Sequence, residues 1–217
     1  MNNMKVKPRE TTLRGQTPGD IYGVRPRLII GLGNPGKKYE KTYHNVGFLA
    51  VDFLTANLKK FKIQNSPKQN PEQISSELYG AGKFATEQAK FKILKSEVYM
   101  NESGGFVKKT AKQNNAKPEE LLIIHDDSDI KMGEYKLSFG RSSAGHRGAQ
   151  SIIDSLKTKN FWRLRIGIGR EPTRTSRGLV RKKAGEIVLK KISKTDRETL
   201  SKIFKEFALC QVVKTRH

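Results

Sequence analysis

A polar amide, Asn34, follows the apolar run Leu28-Ile29-Ile30 and sits inside the glycine-rich stretch Gly31 to Gly36. Ten residues on, His44 and Asn45 stand just ahead of a helical pattern. A second apolar run, Leu121 to Ile124, ends in His125-Asp126-Asp127. A carboxylate beside an imidazole fixes its tautomer and stabilises the imidazolium, which makes the other ring nitrogen a general base. His44 and Asp126 would form such a pair if the two runs are neighbouring strands, because open α/β sheets place their ligands beyond the strand C-termini. No nucleophile stands nearby, since Cys210 falls in a C-terminal helical pattern, so the base would activate water. The His and Asp positions lack the spacing of a zinc site. Taken alone, a single histidine is more often structural than catalytic.

Three further features admit two readings each. Met100-Asn101 precedes a helix that starts at Ser103, so Asn101 is either an exposed amide for a carbonyl or water, or part of a helix cap. Gly145-His146-Arg147-Gly148 precedes another helix, and its amides either face an anion or form a turn that needs glycine. Gly31-Leu32-Gly33-Asn34-Pro35-Gly36 fits G-x-G-x-x-G after a strand, with Asp52 about twenty residues on, as in a dinucleotide site. Against that, the helical pattern starts only near Val46, not inside the glycine loop, and Asp52 lies within the helix.

The chain has 217 residues, long enough for one domain with a full core. Its net charge of +22 points to a polyanionic partner, with nucleic acid first. Half of that excess lies in residues 157–197. Within it, Arg170 to Lys183 mixes basic residues with Gly, Pro, Thr and Ser, the composition of a flexible loop suited to phosphate contacts. One cysteine excludes an internal disulfide and fits a reducing, cytoplasmic setting. No apolar stretch reaches the length of a membrane span. Residues 1–26 have no apolar core for a secretory signal and read as a flexible basic arm.

The elements that must position these residues interleave. Strands are expected at 28–30, 75–85, 90–99, 121–124, 135–139, 164–168 and around Ile187 and Leu189. Helices are expected at about 46–61, 103–115, 147–158 and 194–209, the last capped by Ser193 or Thr195. Residues 64–74 read as a loop. The pattern predicts a single α/β domain over 27–217, with a central mixed, twisted sheet flanked by helices. The hairpin-like pair at 75–99 argues against an all-parallel sheet.

Several of these motifs stand together in one order: LIIGLGNPG at 28–36, Tyr39, His44-Asn45-Val46-Gly47, Tyr99 to Gly104, His125 to Asp129, Gly145 to Gly148 and FWRLRIGIG at 161–169. In order and spacing they resemble bacterial-type peptidyl-tRNA hydrolase, over about residues 27–209. The resemblance implies hydrolysis of the ester between a stalled peptide and the terminal ribose of tRNA, by a monomeric phosphorylase/hydrolase-like α/β domain without metal or organic cofactor. It implies that His44 is the catalytic base and Asp126 its orienting partner. Asn34, Tyr39 and Asn101 would position substrate, Met100 would line the peptide channel, and Arg165 would help clamp the tRNA 5′-phosphate.

This chain departs from the family pattern in places. His146 is followed by Arg147 where the family usually has Asn, which would put a charge near the tRNA acceptor end. The lysine that usually partners the phosphate-binding arginine aligns with Ser138, with Lys136 or Arg141 as possible replacements. Ser142-Ser143 stands where glycines and a histidine are common. The alternative to an enzyme is a non-catalytic RNA-binding scaffold of the same superfamily.

Overall fold

Leu28-Ile29-Ile30 offers no polar side chain to turn toward water, so a strand made from it must be covered on both faces. In the computed structural model it is β1 (Leu28–Gly31), buried along its whole length at the centre of a six-stranded sheet. The structure describes residues 26–65, 84–85, 91–170, 173–175, 178–180 and 184–213. The expected arm over 1–26, apart from Pro26, and most of the expected 64–74 loop and 75–85 strand fall outside these residues.

The other strands are β2 (Phe84–Ala85), β3 (Lys92–Lys95), β4 (Leu121–Lys131), β5 (Tyr135–Phe139) and β6 (Trp162–Gly169). They lie in the order β2-β3-β1-β4-β6-β5. β1 runs parallel to both β3 and β4, and β4 runs parallel to β6. β2 and β5 are antiparallel to their neighbours, so the sheet is mixed, as expected. The helices are α1 (Val46–Asn65), α2 (Ser103–Gln113), α3 (Arg147–Leu156), α4 (Ala184–Ile187) and α5 (Lys194–Val213).

The period-two alternation of the strands sorts the core into two layers. Ile29, Leu122, Ile124, Leu164 and Ile166 face α1 and α5, meeting Val46, Leu54, Leu200 and Phe204. Leu28, Ile30, Leu121 and Ile123 face the other way, onto Val107 of α2 and Ile152 of α3. The result is a single α/β domain. Among the described residues, no helix is long and apolar enough to cross a membrane.

Three expectations change. β4 does not stop at Ile124, because β6 goes on pairing with it through His125, Asp126 and Asp127. Ile187 and Leu189 do not form a strand: Ile187 closes α4, and Leu189 is 55% exposed in the turn after it. The backbone there is paired, but outside the sheet, with His44 N–H donating to Val188 O and Ile192 N–H to Lys41 O, both at 2.8 Å. The basic 170–183 segment is not simply a loop, since β7 (Thr173–Thr175) pairs antiparallel with β8 (Gly178–Val180).

Two glycines set how closely α1 approaches the sheet. A Cβ on Gly47 would lie 2.3 Å from Ile124 O, and one on Gly31 would lie 2.3 Å from Gly47 O. Both distances are far inside van der Waals contact, so only glycine allows the N-terminus of α1 to rest on the ends of β1 and β4. That packing fixes where His44, three residues before Gly47, can be.

Candidate active site

Gly31 pairs with Ile124 in the β1/β4 register, so Asp126 lies two residues beyond the last paired residue of β1. Successive strand side chains point to opposite faces. Asp126 therefore shares a face with Ile124, toward α1, while His125 shares one with Ile123, toward α3. On the α1 side a single 3-10 turn, Tyr43–Asn45, carries His44. The two meet as the sequence predicts: His44 Nδ1 is 2.9 Å from Asp126 Oδ1, with side-chain exposures of 11% and 2%. Nδ1–H donates to the carboxylate, and Nε2 keeps its lone pair for a proton.

A second imidazole reaches the same oxygen. His146 Nε2 is 3.2 Å from Asp126 Oδ1. Its Nδ1 accepts the backbone N–H of Ala149 at 3.1 Å, which places the ring proton on Nε2. Burial alone would raise the Asp126 carboxyl, but the His44 and His146 imidazoles outweigh it and hold the group well below the usual carboxylate range. His44, Asp126 and His146 each offer a potential metal-ligand atom, all within 4.8 Å of one another. The Ala149 bond argues against that use, because it leaves His146 Nε2 protonated and without a lone pair. The donor set suits a hydrogen-bonded relay.

Asn34 is held from both ends. Asn45 accepts from the Asn34 backbone N–H at 2.8 Å and donates to its carbonyl at 2.9 Å. Asn34 Oδ1 accepts the Met100 N–H at 2.9 Å, so its Nδ2 stands as a donor with no partner among the described residues. The glycine loop's chemistry is thereby accounted for without a nucleotide. Gly31 and Gly33 are small because Gly47 and Phe48 of α1 press on them. The Asn34 backbone N–H is spent on the Asn45 side chain, and Asp52 pairs with Lys95.

The remaining expected residues divide. Asn101 is exposed on the 3-10 turn Met100–Glu102, with its backbone carbonyl accepting from Ser151 Oγ at 2.7 Å. Tyr39 packs edge-on against Tyr99, which is itself 48% exposed. Met100 is 4% exposed within the α2/α3 core, and a Cβ on Gly148 would lie 2.5 Å from its sulfur. Arg147 opens α3 and is exposed. Arg165 Nε donates to Asp127 Oδ2 at 2.7 Å. Lys136 is directly opposite it across β5 and β6.

Sequence reasoning missed His146, His125 and Arg163. His125 is fully buried, its Nδ1–H donating to the Asp126 carbonyl at 2.6 Å. Burial, then His146 and Arg163, push this imidazole well below its ordinary value and keep it neutral. Arg163 is 1% exposed and donates to the carbonyls of Arg141 and Ser142, at 3.3 and 2.5 Å. Burial, with Arg165 nearby, lowers its pKa to about 10. It thus props the loop that returns His146 to Asp126. That loop turns through left-handed backbone at Ala144 and Gly145, and the Gly145–Gly148 motif was the only signal for it.

The chain as a whole resembles known proteins. A family model described as peptidyl-tRNA hydrolase matches residues 28–215. The chain is 44% identical over 147 residues to a peptidyl-tRNA hydrolase of Thermodesulfovibrio yellowstonii, covering 67% of this chain and 73% of that one. It is 38% identical over 184 residues to that of Persephonella marina, covering 85% and 88%. The crystal structure of peptidyl-tRNA hydrolase from Acinetobacter baumannii superposes with a TM-score of 0.60 at 27% identity, covering 88% of this chain and 93% of that one. With a family model matching residues 28–215 and relatives matched over two thirds or more of both chains, the protein belongs to the peptidyl-tRNA hydrolase family.

Proposed function

We propose that the protein hydrolyses the ester between peptide and tRNA with His44 as general base. The observation that carries this reading is the 2.9 Å approach of His44 Nδ1 to Asp126, with Nε2 unspent. Water bound at Nε2 gives up a proton as its oxygen attacks the ester carbonyl carbon. The Asn34 Nδ2 donor is suited to hold the carbonyl oxygen as charge builds on it. Asp126 stabilises the imidazolium. The intermediate collapses with cleavage of the bond to the ribose oxygen, which takes its proton from His44 Nε2. Free peptide carboxylate and tRNA with a free ribose hydroxyl result.

A ribose oxygen is a better leaving group than an amide nitrogen, so a positioned water and one base suffice. Such a base contributes about 10²–10⁴-fold. Arg165, with Lys136 beside it, is suited to a tRNA phosphate, and Arg147 and Asn101 to the acceptor end.

Release of peptide from N-acetyl-aminoacyl-tRNA by the purified protein tests the reading. His44→Ala should lower kcat by at least about 10²-fold with tRNA affinity nearly unchanged. Equal losses of binding and rate would make His44 a binding or folding residue. Tight tRNA binding without any release by the wild type would favour the RNA-binding scaffold.

A further inference from the structure

Away from the reacting atoms, one buried carboxylate gathers four hydrogen bonds. Asp196, in the first turn of α5, is 5% exposed. It accepts from Tyr43 OH at 2.5 Å and Ser193 Oγ at 2.7 Å, and from both terminal nitrogens of Arg170. Arg170 also donates to Tyr43 OH, and its guanidinium lies over the Tyr43 ring, 5.5 Å from the centroid. Burial alone would raise the Asp196 carboxyl, but the bonds from Arg170, Tyr43 and Ser193 bring it below its ordinary value.

The place of this cluster gives it meaning. Tyr43 precedes His44 in the 3-10 turn, and Arg170 is the first residue after β6, at the root of the basic 170–183 segment. A 3-10 turn has poorer hydrogen-bond geometry than an α-helix and draws its rigidity from outside. Here Thr42 supplies no side-chain cap to the turn. Support comes from the Val188 carbonyl on the His44 amide and from the Tyr43 hydroxyl on Asp196. A phenylalanine would fill the Tyr43 site without the desolvation that a buried polar cluster costs. The cluster therefore adds geometric definition to the turn, where misplacement of a catalytic group by 1 Å costs about 10²-fold.

We propose that Asp196 and Tyr43 are positioning residues for the general base: Asp196 fixes the Tyr43 hydroxyl, and with it the turn that aims His44 at Asp126, and binds that turn to Arg170 at the root of the basic segment. The proposal rests on His44 acting as the base.

Tyr43→Phe and Asp196→Asn in the full chain test it. Two quantities are read: kcat and KM on N-acetyl-aminoacyl-tRNA, and the downfield NMR resonance of the His44 Nδ1–H proton, which needs no substrate. The expected result for Tyr43→Phe is a kcat about tenfold lower at unchanged KM, with faster solvent exchange of the Nδ1–H proton. Wild-type kcat would overturn the proposal. So would a lower kcat with the Nδ1–H resonance unchanged, or a raised KM at wild-type kcat. Should Asp196→Asn fail to fold, Tyr43→Phe decides, since it keeps the buried ring. Failure of the wild type to release peptide would remove the functional reading, while the NMR comparison would still decide whether the cluster positions His44.

Discussion

His146 reaches Asp126 with a proton whose place is set from behind: because Ala149 N–H occupies Nδ1, Nε2–H must point at the carboxylate. One oxygen of Asp126 thus accepts two N–H groups, from His44 and from His146. The second donor pins the carboxylate while the first brings its charge to His44, the proposed base. A hydrogen bond to a charged group is worth about 1.5–3 kcal/mol.

Replacing His146 with Ala should therefore lower kcat by about tenfold or more at nearly constant KM, through a mobile Asp126. His146→Asn keeps an amide donor and should recover part of the loss. Steady-state kinetics on the two variants check this, and a His146→Ala protein as fast as the wild type would remove His146 from the mechanism.

The meeting of His44 and Asp126 was legible in the sequence because Asp126 ends one apolar run and His44 stands just before the helix that follows the other, so neighbouring strands bring the two to one rim. The mixed sheet was legible because its strands and helices alternate with clear periods. His146 was not legible, since its approach depends on a loop turned by Ala144 and Gly145 and held by Arg163 from another strand. The Asp196 cluster joins residues more than 150 positions apart, and no local pattern announces that. The Ile187–Leu189 strand failed for a related reason. Its alternation was real, but the segment that follows pairs with the His44 turn and not with the sheet.

Gly47 converts this packing into a stability prediction. A methyl group on its Cα would meet the carbonyls of Ile124 and Leu32 at 2.3 and 2.5 Å. Backbone cannot yield as a side chain does, so Gly47→Ala should destabilise by about 3 kcal/mol, the upper end for overpacking. Since relief requires α1 to back away from β4, kcat should also fall at temperatures where the variant is still folded. Urea unfolding with assays well below the transition separates the two effects. Full activity in a destabilised variant would show that α1 can shift without moving His44.

His125 predicts a pH dependence of stability. Its folded-state pKa is depressed, by burial first and then by His146 and Arg163, against about 6.5 in the unfolded chain. Between those values the unfolded chain binds the extra proton, so stability is full above about pH 6.5 and declines below it, by up to about 1.4 kcal/mol per pH unit. Asp126 also has a depressed value, but its contribution is lost only as pH falls through about 3.9 and below, outside the pH 7.5 to 5 range of this test. Urea midpoints measured from pH 7.5 to 5 should fall in the wild type and flatten in His125→Gln. Equal slopes in both proteins would place the proton elsewhere.

Arg147 predicts an exchange of stability for binding. A cation at a helix N-terminus is opposed by the helix dipole, at about 0.3–1 kcal/mol. Arg147 opens α3, is exposed, and has no acidic partner among the described residues. Nothing among the described residues repays that cost, whereas a phosphate at the tRNA acceptor end would. Arg147→Asn should raise stability by about 0.5 kcal/mol and weaken tRNA binding. Every phosphate that a protein neutralises steepens the fall of log K with log salt by roughly 0.7–0.9. The variant, neutralising one phosphate fewer, should show a slope shallower by about that amount. Binding titrations across a salt series, beside thermal melts of both proteins, read the two effects separately. A lower melting temperature would show that Arg147 serves the fold, and an unchanged salt slope would show that it does not meet a phosphate.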